Sequence, residues 1–185
     1  MKEFSCPAEA ANWLKKGKIL IHPTEGVWGL GCDALNASAC KKINFLKQRD
    51  QEKKFILLAP TIQIALDYFQ PTTHDQSSFL NKIWPGHTTV IHYANENVSQ
   101  HLKASDNTIA IRVGAHTQTL KLLNELSSLM VSTSANISNT PTPSTLVDLY
   151  QAFQDPGVAV YAHTNGLSKK PSAIVRLESM EYIRE

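Results

Sequence analysis

The chain has 185 residues, of which 42% are hydrophobic and 18% charged, with a formal net charge of +2. That length fits one domain able to bury its own core, and so small a charge permits a local cationic patch without demanding a nucleic-acid partner. Three cysteines with no Cys-x-x-Cys speak against a disulfide framework or a structural zinc site, and free thiols fit a reducing compartment. The first residues, Met1 to Lys16, hold no apolar stretch long enough for a signal peptide. The longest apolar run, Phe55 to Pro60, is far too short to cross a bilayer. The expectation is a cytoplasmic protein with no membrane partner.

Helical and strand signals alternate along the chain. Pro7 to Lys16 reads as a helix, with Ala8, Ala11 and Leu14 at helical spacing and Gly17 as its stop. Lys18 to His22 is a short apolar strand closed by Pro23. Ser38 to Gln48 reads as a helix capped by Asn36, and Phe55 to Ala59 as a buried strand. Ile62 to Phe69 and Gln76 to Ile83 predict helices. Thr88 to Tyr93 and Thr108 to Val113 predict strands. His116 to Leu126 predicts a helix, and Leu129 to Ser132 a strand running into a polar loop. Ser144 to Phe153 reads as a capped helix. Val158 to Tyr161 and Ser172 to Leu177 read as late strands. With no repeat and no linker, this is one α/β domain over residues 1–185. Strands that follow one another without a helix predict a mixed sheet with flanking helices.

Four polar segments follow or flank the apolar strands, where ligands of open α/β sheets collect. In Pro23-Thr24-Glu25-Gly26-Val27-Trp28-Gly29-Leu30-Gly31, three glycines allow close backbone approach, and Thr24 offers a hydroxyl. In Lys47-Gln48-Arg49, with Lys53 and Lys54 behind, the cations suit a helix C-terminus or a phosphate clamp. Trp84-Pro85-Gly86-His87-Thr88-Thr89 joins a helix to a strand. Ser132-Thr133-Ser134-Ala135-Asn136-Ile137-Ser138 reads as a loop, or as a set of donors for carboxylate or phosphate. The chain has no Gly-x-x-x-x-Gly-Lys-Ser/Thr, no Gly-x-Gly-x-x-Gly, no Gly-x-Ser-x-Gly and no His-Glu-x-x-His. A nucleotide would therefore be held by scattered Lys, Arg and hydroxyl groups.

In order and spacing, these segments together resemble the threonylcarbamoyl-AMP synthase family, also called YrdC or TsaC. The resemblance runs over roughly residues 20 to 145 and includes Ile109-Ala110-Ile111-Arg112-Val113, with a weaker match at Pro171-Ser172. Gly26, Trp28, Asp50, His87 and Asn139 depart from the usual Thr, Tyr or Phe, Pro, Pro and Gly. The length resembles the short bacterial form.

The resemblance implies a single-domain twisted mixed β-sheet with a concave cationic surface. It implies condensation of L-threonine, bicarbonate and ATP to threonylcarbamoyl-AMP and pyrophosphate, for modification of tRNA by downstream transfer proteins. By the same resemblance Lys47 and Arg49 are catalytic, and Lys47, Arg49, Lys53, Ser132, Ser134 and Asn136 bind ATP. Thr24, Arg112 and Ser172 bind threonine, and Thr89 is a further candidate. Mg2+ is expected with ATP, although no carboxylate cluster marks a metal site. Two other readings use the same residues: a non-catalytic module holding tRNA on its basic surface, and a carbamoyl-adenylate domain with a different acceptor.

Overall fold

The computed structural model describes residues 1–50, 54–166, 168 and 170–185. In chain order the elements are β1 (Lys2–Phe4), α1 (Pro7–Lys15), β2 (Ile19–His22), β3 (Gly29–Asp33), α2 (Ala37–Leu46) and β4 (Ile56–Leu58). Then come α3 (Ile62–Leu66), α4 (His74–Ile83), β5 (Thr88–Tyr93), a 3-10 turn (Gln100–Leu102), β6 (Thr108–Arg112) and α5 (Thr117–Leu126). β7 (Met130–Ser134), α6 (Leu146–Ala152), β8 (Val158–Tyr161), β9 (Ala173–Arg176) and β10 (Glu181–Arg184) complete the chain.

Local chemistry accounts for most boundaries. α1 starts on a proline at its first turn, and Gly17 follows its end with φ of 70°. The Asn36 side chain accepts from the Ala39 N–H at 2.9 Å and caps α2. Thr73 and Gln76 cap each other's backbone at α4, so that helix begins two residues before the expected Gln76. α3 stops at Leu66, short of the expected Phe69.

The strands form one mixed sheet in the order β1-β8-β2-β3-β7-β4-β6-β5-β9-β10. β1 with β8, β8 with β2, β4 with β6 and β5 with β9 are parallel; the remaining neighbours are antiparallel. β3 was expected to be loop. It is instead an inner strand, hidden from a propensity reading by its two glycines, which are poor strand formers. Edge strands β1 and β10 were also not expected. Only Phe4 of β1 is buried and every residue of β10 is exposed, so neither has an apolar pattern to read.

Alternation along β2 sends Leu20 to one face and Ile19 and Ile21 to the other. Leu20 joins Phe4, Leu14, Leu122, Leu126, Met130 and Tyr161 beneath α1 and α5. The opposite face packs Ile43, Leu80, Val131 and Leu149 with α2, α4 and α6. Complete burial of a side chain such as Leu14 contributes roughly 2 kcal/mol. The α1/α5 core draws on β1, β2, β4, β7 and β8 but takes no residue from β5, β6 or β9. The same sheet face is therefore left open over those strands. Among the described residues, no helix is long and apolar enough to cross a membrane.

Candidate active site

The open half of that face forms a cavity of about 440 Å³. Its walls carry Arg49, Lys54, Arg112, Lys170 and Arg184, together with the hydroxyls of Thr24, Thr89, Thr108, Ser132, Thr133, Ser134 and Ser172. No Asp or Glu is among the described residues lining it. The volume lies within the roughly 300–1,000 Å³ typical of small-molecule clefts. Sheet alternation builds much of the wall, because Thr108, Ala110 and Arg112 of β6 and Ser132 and Ser134 of β7 point to one side.

The strand was expected to end at Ser132 and run into a loop, but Thr133 and Ser134 also belong to β7. Buried partners extend the strand past the apolar residues. Ser132 pairs with Gly31 and Ser134 with Gly29. The turn begins at Ala135, whose N–H bonds to Trp28 O at 2.8 Å. Asn139, in place of the usual glycine, has φ of 66°, a left-handed conformation that Asn tolerates well.

Arg49 lines the cavity. Its guanidinium donates to Thr133 Oγ1 at 3.1 Å and to Lys54 O at 2.8 Å, and lies over the Phe55 ring. Lys47 is placed differently. Its buried ammonium donates to Ser134 O, to Asn136 O at 2.6 Å and to Asn136 Oδ1 at 3.3 Å. Burial, then the nearby Arg49, lowers its pKa to about 8, so it stays protonated at neutral pH. Lys47 and Asn136 are not among the described lining residues. Together they brace the turn that follows Ser134. Ser134 Oγ itself lies 2.6 Å from Asn136 Oδ1, and Asn136 Nδ2 donates to Ile137 O and Thr140 O. Lys47→Met should therefore act through the fold. Leaving the two carbonyls without a donor should cost roughly 2–4 kcal/mol. Urea unfolding measures this, and an unchanged midpoint would contradict the bracing role.

Thr24 Oγ1 donates to Val27 O at 2.6 Å and accepts from Gly26 N–H, forming a tight turn at the cavity edge. At Gly26, where the resembled family has Thr, a Cβ would lie 2.2 Å from Lys170 O. The chain before β9 folds over this turn, with Gly166 N–H on Thr24 O and Ser168 N–H on Glu25 O. Ser172 Oγ and Thr89 Oγ1 are 2.9 Å apart, and Arg184 holds Ser172 O through two N–H groups. Lys53 lies outside the described residues.

Arg112 is buried, with its guanidinium 3.4 Å from a Glu25 carboxylate oxygen. Its Nε has no hydrogen-bond partner among the described residues. Glu25 also accepts from Ala115 N–H at 2.7 Å and His116 N–H at 3.3 Å. Burial would raise the Glu25 pKa, but Arg112 and the backbone donors outweigh it and the net direction is down. The residue types alone gave no role to Glu25, His87 or Arg184, because each acquires its neighbours only through long-range pairing. His87 stands in the cavity wall where the resembled family has proline. Burial and Arg112 lower its pKa, so it is neutral at pH 7. Asp50, which could have opposed a phosphate clamp, is exposed and outside the described lining.

No group of three or more His, Cys, Asp or Glu able to hold a metal occurs among the described residues. The donor set of the cavity does not fit a magnesium ion held by the protein itself, since hard cations of this kind take carboxylate oxygens.

The family model Sua5_yciO_yrdC, described as "Telomere recombination", matches residues 12–185. A threonylcarbamoyl-AMP synthase of Vibrio parahaemolyticus is 34% identical over 179 residues, covering 96% of this chain and 97% of that protein. Among solved structures, P. abyssi Sua5 complexed with L-threonine has a TM-score of 0.86 at 24% identity, over 96% of this chain and 53% of that one. The present chain thus spans about half the length of that protein. E. coli YciO has a TM-score of 0.86 at 22% identity, over 97% of this chain and 88% of its own. These two likenesses establish the mixed-sheet fold. With the sequence match over nearly its whole length, the chain belongs to the Sua5/YciO/YrdC family, that of the threonylcarbamoyl-AMP synthases.

Proposed function

We propose that this chain is a nucleotidyltransferase that condenses L-threonine, bicarbonate and ATP to threonylcarbamoyl-AMP and pyrophosphate. The observation that carries the reading is the cavity wall, five cations and seven hydroxyls with no carboxylate among its described residues. Such a wall suits a polyanionic nucleotide and a carboxylate together, and repels neither. The threonylcarbamoyl-AMP synthase name of the Vibrio relative supports the activity. The L-threonine bound to P. abyssi Sua5 supports the amino acid.

The chemistry asks for positioning and for stabilisation of growing negative charge. The threonine nitrogen and bicarbonate yield a carbamate with loss of water. A carbamate oxygen attacks the α-phosphorus, and pyrophosphate leaves. Arg49, after α2, and Ser134, before the turn braced by Lys47 and Asn136, bind the phosphates. The buried Arg112 takes the threonine carboxylate, with Thr24, Ser172 and Thr89 around it. Magnesium accompanying ATP would have to take its oxygen ligands from sources other than this wall, which offers it no carboxylate among its described residues. The product serves threonylcarbamoyl transfer to tRNA in the cytoplasm by partner proteins.

Mass spectrometry of a mixture of protein, ATP, L-threonine and 13C-bicarbonate tests this. The expected product contains threonine, one labelled carbon and AMP. An AMP adduct without the label would show a different acyl-adenylate chemistry.

A further inference from the structure

His22, at the end of β2, is completely buried and reaches the cavity wall from the side, across β3. Its ring crosses β3 where that strand has no side chains. A Cβ on Gly29 would lie 2.5 Å from the ring, and one on Gly31 would lie 3.3 Å from it. The two glycines therefore form the slot that lets a β2 ring touch β7. There, His22 Nε2 lies 3.2 Å from Ser132 Oγ.

The other ring nitrogen determines which way this bond runs. His22 Nδ1 lies 3.0 Å from Pro23 O, and a carbonyl can only accept. Nδ1 therefore carries the hydrogen. Burial lowers the pKa of the ring to about 4 against the opposing hydrogen bond to Pro23, with Arg112 and His116 adding to the lowering and Glu25 opposing it, so the ring is neutral at pH 7. A neutral ring with hydrogen on Nδ1 presents Nε2 as an acceptor, and Ser132 must donate to it. The Ser132 hydroxyl then has only its oxygen lone pairs left for the cavity.

We propose that His22 is a positioning residue that fixes Ser132 as a hydrogen-bond acceptor, so that Ser132 reads a donor group of the amino-acid substrate, its nitrogen or its hydroxyl, and not a phosphate. The register agrees. Leu58 pairs with both Arg112 and Met130, and Ile56 with Ser132, so Ser132 is one step of the same face from the rung of Arg112. A phosphate oxygen offers no donor to such a group, whereas the nitrogen and hydroxyl of threonine do. This inference rests on the threonine-dependent activity proposed above, and it moves Ser132 from the nucleotide set to the amino-acid set.

The test compares His22→Phe, which keeps a ring but removes the acceptor, His22→Gln, whose amide oxygen can still accept, Ser132→Ala, and the double variant His22→Phe/Ser132→Ala. KM for L-threonine and for ATP is read from pyrophosphate release, with melting temperature as the folding control. His22→Phe and Ser132→Ala should each raise the threonine KM by about tenfold, with the ATP KM unchanged. The double variant should be no worse than Ser132→Ala, and His22→Gln should stay near wild type. With L-2-aminobutyrate, which lacks the hydroxyl, loss of the Ser132 effect assigns the contact to the hydroxyl, and its persistence assigns it to the nitrogen. A rise in the ATP KM instead, additive single effects, or a glutamine variant as impaired as phenylalanine would overturn the inference. If His22→Phe does not fold, Ser132→Ala against His22→Gln carries the same comparison, and a glutamine variant impaired like the alanine one overturns it. Failure of the wild-type protein to use threonine at all is a separate result, which removes the proposed function itself.

Discussion

Arg49→Ala should lower pyrophosphate release by at least about a hundredfold, the usual scale for losing one charge-stabilising donor. The guanidinium sits on the cavity wall between Thr133 and Lys54 and stacks over Phe55, so it reaches the site already oriented. A pre-oriented cation loses little entropy on meeting a phosphate, and it is worth most where charge grows during the reaction. Arg49→Lys should recover only part of the loss, because an ammonium lacks the planar fork. The melting temperature of Arg49→Ala should fall by only a few degrees, reflecting the lost Thr133 and Lys54 bonds. A variant that melts far lower but retains activity per folded molecule would make Arg49 a fastening of the chain before β4 and not part of a phosphate clamp.

Arg112→Ala should be damaging in two ways. It removes the proposed carboxylate partner, and it leaves Glu25 half-buried beside two backbone donors without its cation. Breaking such a pair costs about 3–5 kcal/mol, which a small domain barely tolerates. Arg112→Lys separates the two effects. The charge and the Glu25 interaction remain, while the fork and the unpartnered Nε are lost. Its stability should stay near wild type while the threonine KM rises about tenfold or more. Equal loss for threonine and ATP, measured by calorimetric titration of each, would remove Arg112 from the amino-acid side.

Much of this was legible in the residues, and the exceptions share one cause. Leu14, Ile43 and Leu122 announce their helices because each lies on a face with helical spacing, and all three are buried. Phe55 to Ala59 and Thr88 to Tyr93 read as strands because each is a short run rich in apolar or β-branched residues. β3 was hidden because Gly29 and Gly31 are poor strand formers. Their value lies in admitting the His22 ring, a contact between β2 and β7 that no window of sequence contains. The motif residues came together in the same uneven way. Thr24, Arg49, Arg112, Ser132, Ser134 and Ser172 meet around one cavity although they span most of the chain. Lys47 looked like a clamp by composition, yet its ammonium is turned to the carbonyls after β7. Which way a lysine points depends on partners brought by the sheet, and spacing alone does not carry that information. Likewise Glu25 looked like part of a turn until β6 and the start of α5 supplied Arg112 and two N–H groups.

The central claim is that one cavity binds ATP and threonine and joins them through a carbamate. Pyrophosphate release by the purified protein measures this most directly, with ATP, bicarbonate and L-threonine each omitted in turn under carbon-dioxide-free buffer. Release should require all three, and replacement of L-threonine by an amino acid without a hydroxyl should reduce it strongly. Release at the same rate without threonine or without bicarbonate, or no release while RNA binds tightly with a steep salt dependence, would contradict the account.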